Sequence, residues 1–303
     1  MQKLFIGLVF CCIPLMSQSC EMCGCGSGGN QIGLLPHLQR SFIGIRYQFQ
    51  STYTESHHST ETGVQSREQF HTTELWGRVT LLKRLQLYAA IPFRVNEQHE
   101  PNVTTKVTGL GDAMLQVNTN IFNNFPSEAS WKFMFQAGIG IKFPSGKYNL
   151  VRNGLMVHQN LQSGSGSFDI PFQLNTLIRK NKLGLLSETS FRRNGTNKMN
   201  YALGHVWQET IKFLAWYDRK QFTLIPNMAL TAEHRQKDLQ NHQRVDYTGG
   251  QTTSAIIGCD VTSKRHGAGL QVGIPLWQHL GDGYVHLQSK FSFYYIYLLQ
   301  NNK

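Results

Sequence analysis

The stretch WKFMFQAGIGIKF, residues 131–143, decides the reading of the chain. Trp131, Phe133, Phe135, Ala137, Ile139, Ile141 and Phe143 occupy one set of alternate positions, and Lys132, Met134, Gln136, Gly138, Gly140 and Lys142 the other. Successive side chains of a β-strand point to opposite faces, so one face here is continuous hydrocarbon and the other is not. The stretch is also long. Strands of soluble sandwiches usually run about five or six residues, whereas a tilted strand that crosses a bilayer needs about nine to eleven.

The alternation recurs along the chain. Leu85, Leu87, Ala89, Ile91, Phe93 and Val95 alternate with Gln86, Tyr88, Ala90, Pro92 and Arg94. Phe168, Ile170, Phe172, Leu174, Thr176 and Ile178 repeat it, and near the C-terminus so do Val285, Leu287, Phe291, Phe293, Tyr295 and Tyr297. The pattern predicts strands near 40–50, 70–82, 85–95, 109–121, 130–143, 166–178, 183–193, 200–214, 221–232, 251–262, 267–276 and 284–297. Short polar joins at Lys83-Arg84, Arg179 to Lys182, Tyr217 to Lys220 and Ser263 to His266 alternate with longer connections, notably 51–69, 96–108, 144–165 and 233–250. Short turns on one side and long loops on the other are the asymmetry of outer-membrane barrels, with the short turns periplasmic. The expected fold is all-β, a transmembrane antiparallel β-barrel of about twelve strands over residues 38–303, located in the cell outer membrane.

The beginning of the chain fits export. Lys3 is the positive end, Leu4 to Leu15 the apolar run, and Ser17 and Ser19 the small residues before Cys20. The run is shorter than the roughly twenty residues a helical span requires. Residues 1–19 are therefore expected to be a cleaved signal, with a retained anchor or a lipidated Cys20 as alternatives. Residues 20–37 then form a Cys- and Gly-rich periplasmic segment.

Net charge is +11 and mean hydropathy −0.31. No basic tail or run of like charges concentrates the excess, which argues against a nucleic-acid partner. Dispersed charge suits the phosphates of lipopolysaccharide or an anion in a lumen. Further expected partners are outer-membrane lipid, the barrel assembly machinery and a small solute, with the protein a monomer.

Parity assigns charges to the inner face. Arg46, Glu74, Arg78, Arg94, Asp112, Lys142, Asp169, Glu188, Arg192 and Lys290 are expected to line the lumen. Arg94 with Asp112, and Lys142 with Asp169, fall on neighbouring strands within cross-strand reach. One account is a charge ladder that holds a narrow barrel closed; the other is a selectivity lining, with the slight excess of bases favouring anions.

Of six cysteines, Cys20, Cys23 and Cys25 cluster and Cys259 stands alone. Thiolates at i, i+3 and i+5 in a Gly-rich stretch can converge on a soft ion, so copper or zinc is a candidate cofactor there, with Met22 as an added thioether. A disulfide, lipidation of Cys20, or a plug in the barrel mouth are the other readings. His57, His58, His99, His158, His234, His242 and His279 fall in expected outer loops and give a weaker hint of surface metal or haem binding. Gly24, Gly26 and Gly29 match a dinucleotide fingerprint in spacing alone, with no preceding strand or following helix. No His-x-Ser arrangement at a strand end suggests a lipid hydrolase, and Arg192 to Asn197 reads as a hairpin turn, so no enzymatic activity is expected.

Several motifs occur in a fixed order: Cys23 to Asn30, Gly33-Leu34-Leu35-Pro36, Thr72 to Arg78, Gly109-Leu110-Gly111-Asp112, Lys142 to Tyr148, and Gly164 to Asp169. With these the chain resembles the Bacteroidota outer-membrane barrels labelled transporters and, more distantly, the meta-pathway phenol-degradation type. The resemblance spans residues 20–297 and implies a transport role without implying site residues. The expected function is a passive channel or transporter for a small solute, anionic, apolar or a metal complex. The alternative is a structural or surface-interaction barrel with a metal- or redox-active Cys segment.

Overall fold

The computed structural model describes residues 40–55, 66–125, 128–152 and 154–299. The proposed signal, the segment 20–37 with Cys20, Cys23 and Cys25, and the histidines His57 and His58 lie outside the described residues.

Twelve barrel strands follow one another in the chain. They are β1 (Phe42–Thr54), β2 (Ser66–Thr80), β3 (Leu85–His99), β4 in two pieces (Thr104–Leu110 and Met114–Asn123), β5 (Trp131–Lys142) and β6 (Ile170–Lys180). The second half is β7 (Leu183–Arg193), β8 (Val206–Ala215), β9 (Phe222–Arg235), β10 (Gly250–Ser263), β11 (His266–Leu280) and β12 (Val285–Leu298). Each pairs antiparallel with its neighbours in sequence, and β1 pairs with β12, from Phe42 opposite Leu298 to Thr54 opposite Val285. The sheet therefore closes, so that backbone groups of the wall are not left as open edges in hydrocarbon.

The side chains sort as the pleat requires. Ile43, Ile45, Leu75, Ile91, Phe133 and Ile139 are exposed on the outer face. Aromatic residues mark both rims of that band. Trp131 and Tyr217 stand at the short-turn end, and Trp207 and Trp277 near the long-loop end, as interfacial girdles do. The inner face is packed and polar at mid-height. Gln116 Nε2 donates to Gln173 Oε1 (2.9 Å), Gln136 Nε2 to Asn120 Oδ1 (2.8 Å), and Asn175 Nδ2 to Gln136 Oε1 (3.1 Å). Toward the short turns the interior becomes apolar. Phe42, Trp76, Tyr88, Tyr294 and Ile296 form one buried cluster; Met134, Leu177, Leu186, Leu214, Trp216 and Ile225 form another.

Several strand limits differ from the sequence reading, each for a local reason. Strand extends into the connections expected at 51–69 and 96–108: residues 51–54 and 66–69 of the first, and 96–99 and 104–108 of the second, are strand. Thr52, Thr54 and Ser66 turn their hydroxyls inward onto the Glu68 carboxylate, so a polar inner face carries the hairpin outward. Only residues 100–103 separate β3 from β4. Tyr201–Ala202 leaves the barrel to pair with Leu239–Gln240 in a small outer sheet, so β8 starts at Val206 rather than 200. Residues 166–169 belong to an inward loop, and β6 starts at Ile170.

The ladder between β11 and β12 is interrupted. Their ladder runs from His266 opposite Tyr297 to Gly273 opposite Lys290, then resumes only at Leu280 opposite Val285. Gln278 fills part of the gap with its amide: the Leu287 N–H donates to Oε1 (2.7 Å) and Nε2 donates to the Leu287 carbonyl (3.2 Å). Gln278→Leu removes both bonds and should destabilise the barrel by about 1–3 kcal/mol. Urea unfolding in micelles measures this, and an unchanged midpoint would contradict the role given to the amide.

Candidate functional site

The site is built on the loop 143–169, between β5 and β6. Instead of lying over the surface it enters the barrel from the long-loop end, and residues 160–165 are buried. Val157 and Leu161 pack against Phe70 of β2 and Val107 of β4. Asn96 Nδ2 donates to the Leu161 carbonyl (2.9 Å), and Gln162 ties the loop to itself through Val157 and Leu150.

The loop is fastened where three of the sequence motifs meet. Gly109-Leu110-Gly111-Asp112 interrupts β4 and turns the Asp112 carboxylate inward. That carboxylate accepts from Lys142 Nζ (2.9 Å), from the Gly146 N–H (3.0 Å), and from both the N–H and hydroxyl of Ser165 (2.8 Å each). It thereby holds the departing and returning arms of the loop at once. Asp169 completes the knot, with Lys142 Nζ at 2.5 Å and with the Ser167 hydroxyl (2.8 Å) and Gly195 N–H (3.0 Å) as donors. The glycines fit contact needs. A Cβ on Gly146 would lie 2.7 Å from the Gly164 Cα, and Gly166 has φ +74° with the Tyr148 ring against it.

The residues singled out from sequence fall as follows. Arg46 pairs with Glu74 inside the wall and stands 4.9 Å from the Trp76 ring centre. Arg78 lies over Phe42 near the short turns and donates to the Arg40 carbonyl. Lys142, Asp112 and Asp169 form the knot. Arg94 does not pair with Asp112, whose donors are Lys142 and the loop. Glu188 meets Lys212 at 3.5 Å, and Lys290 approaches Glu233 at 3.9 Å. Arg192 Nε donates to Asn194 Oδ1 (3.0 Å).

Sequence reasoning omitted Glu68, Lys212, Glu233, Arg235 and Asp260 from the inner face. Glu68, Glu233 and Arg235 lie in the polar segments 51–69 and 233–250, whose composition predicts loops. Lys212 and Asp260 share the parity of buried neighbours Thr210 and Ile256, which was the available signal. His99, His234 and His279 stand in strand ends, while His158 and His242 are in loops. Among the described residues no three His, Cys, Asp or Glu side chains gather to hold a metal.

Under the loop lies a cavity of about 80 Å³. Its charged lining is Arg46, Arg94, Lys142 and Arg192 against Glu74 and Asp112, four bases to two acids. Such a concave site, with convergent polar groups, is where a small ligand is sought.

No protein-family model matches the chain, and no curated protein matches it. Its fold is similar to that of an outer membrane channel from Pseudomonas putida F1, with 13% identity, 88% of this chain and 100% of that chain covered, and a TM-score of 0.62. Two further solved structures align with lower scores. They are the translocator domain of the autotransporter NalP from Neisseria meningitidis (11% identity, 88% and 91% covered, TM-score 0.47) and the beta domain of the Bordetella autotransporter BrkA (10%, 86% and 100%, 0.48).

Two outcomes follow from this geometry. Asp112→Asn removes the charge that both loop arms share, and losing a buried pair of this kind costs about 3 kcal/mol. Hydrogen exchange at the Gly146 and Ser165 amides should accelerate about a hundredfold, the equivalent of that energy; unaltered rates would show that the loop is held otherwise. In the outer loop 236–249, burial pushes the Asp238 carboxyl up, against the pull of the Tyr201 hydroxyl, the Gly204 N–H and Arg235. A raised carboxyl binds its proton more tightly in the folded state. Its contribution is thus fully present below the ordinary aspartate range, near pH 4, and is lost as pH rises through the raised value. Exchange protection at Gly204 and Val245, corrected for intrinsic rates, should fall over that interval, and Asp238→Asn should flatten the dependence.

Proposed function

We propose that the protein is an outer-membrane channel that passes a small solute by passive diffusion, with loop 143–169 as its constriction. The observation that carries this reading is the charged cavity between the inward loop and the barrel wall. A barrel whose only task was structural would gain nothing from a cavity with excess positive charge, since desolvated charge is costly. The fold neighbour from Pseudomonas putida F1 is itself an outer membrane channel, which agrees with the reading.

In this account the short turns face the periplasm and the long loops the exterior, following the usual asymmetry of these barrels. Residues 1–19 act as the export signal, and the barrel is inserted as a monomer by the assembly machinery among lipid and lipopolysaccharide. Transport needs no catalytic group. Cys20, Cys23 and Cys25 would add a periplasmic copper or zinc site; metal uptake by the mature chain, lost when Cys23 and Cys25 become Ser, tests that part separately.

The two apolar clusters near the short turns narrow the path below the cavity. Trp76 is 2% exposed and Tyr88 wholly buried there. Resting flux is therefore expected to be slow and limited by these side chains. In liposome-swelling assays the wild type should admit acetate faster than protein-free vesicles do, and Trp76→Ala should accelerate entry severalfold. If both forms behave like empty vesicles, the structural-barrel alternative is favoured and the channel reading fails.

A further inference from the structure

We infer that the cavity under loop 143–169 is a binding site for a small oxyanion, a carboxylate or phosphate, engaged by the guanidinium groups of Arg94 and Arg192. The inference rests on the channel reading for its biological meaning but on separate observations for its chemistry. The first is the charge balance. Of the four bases that line the cavity, Lys142 is committed to Asp112 and Asp169, and Arg46 to Glu74. Arg192 has Asp169 and Glu233 within electrostatic reach, and Arg94 is the lining base whose side chain enters no ion pair among the described residues.

The second observation is unmet hydrogen bonding. Among the described residues the Arg94 side chain forms no ion pair and no hydrogen bond, although Asp112 and Glu74 lie within its electrostatic reach. Its Nε is buried without an acceptor. Gln159 Nε2, in the same lining, is another buried donor without one. Buried donors are normally satisfied, and two that face one cavity call for an acceptor inside it. Arg192 lines the same space, with Arg94 and Arg235 as like charges and Asp169 and Glu233 as opposite charges within electrostatic reach.

Size sets the class. A cavity of about 80 Å³ holds on the order of six water-sized groups, taking roughly 10–15 Å³ for each. Acetate and inorganic phosphate both fit, and the planar fork of an arginine matches the paired oxygens of either. A large polyanion does not fit.

The test uses the full chain refolded in micelles, titrated calorimetrically with acetate and, separately, with inorganic phosphate at constant ionic strength in chloride. Saturable binding of at least one anion is expected. It should weaken about tenfold or more in Arg94→Gln, less in Arg94→Lys, and not at all in Lys83→Gln at the opposite end of the barrel. The acetate and phosphate arms identify which oxyanion the site prefers. An independent arm needs no variant: bound anion should protect Arg94 and Arg192 of the wild type from phenylglyoxal, read by mass spectrometry. Absence of binding by either anion, equal affinity in Arg94→Gln, equal binding of methylammonium, or no protection would each overturn the inference. Saturable binding without acetate entry in the swelling assay would sink the channel reading and leave the site standing; entry without binding would do the reverse.

Discussion

One carboxylate determines how far the lumen of this barrel is narrowed. Asp112 breaks the fourth strand, turns inward, and accepts four hydrogen bonds from Lys142, Gly146 and Ser165. Those donors come from the end of β5 and from both arms of loop 143–169, so a single group closes the loop across the lumen. Without it the loop would have to find its backbone partners in solvent, as long surface loops usually do. Asp169 and the Gly146–Gly164 contact reinforce the knot, and the apolar seat on Phe70 and Val107 fixes the loop's depth. The cavity, its positive lining and the position of Arg94 all follow from where that loop rests.

The barrel gives the knot its setting. Each strand is hydrogen-bonded on both sides, which hydrocarbon surroundings demand. Twelve strands enclose a narrow interior that side chains nearly fill. Its contents are layered: apolar rings near the short turns, an amide ladder at mid-height, and paired charges beneath the loop. Matched ion pairs in such a space bring little net stability, because desolvation offsets their attraction. Their value lies in fixing geometry, which sets them apart from Arg94, whose side chain has no hydrogen-bond or ion-pair partner among the described residues.

Much of this was legible in the sequence, and the reasons are particular. The residues 131–143 announced a membrane-crossing strand because their hydrocarbon face is unbroken. Parity alone put Glu74 and Arg94 on the inner side. The inward course of the loop was not legible. Gly-Leu-Gly-Asp and Gly-Ser-Gly-Ser-Phe-Asp were visible as motifs, but nothing local says that Asp112 reaches Ser165, fifty-three positions away. Polar hairpins were misjudged for a related reason. Thr52, Thr54, Ser66 and Glu68 look like loop composition until their mutual hydrogen bonds inside the barrel are seen. The alternation signal measures hydrophobicity, and it fades where both faces of a strand are polar.

The central claim is that loop 143–169 lies inside the barrel and narrows the lumen. Thiol accessibility tests it most directly. With the native cysteines changed to Ser, a cysteine is placed at Ser163, which is 1% exposed within the lumen, or at Leu155, which is 75% exposed at the loop's tip. A bulky, membrane-impermeant maleimide added to the folded protein should modify the Leu155→Cys form quickly and the Ser163→Cys form far more slowly. Equal rates would mean that the loop lies outside the lumen, and the account of the constriction would fail.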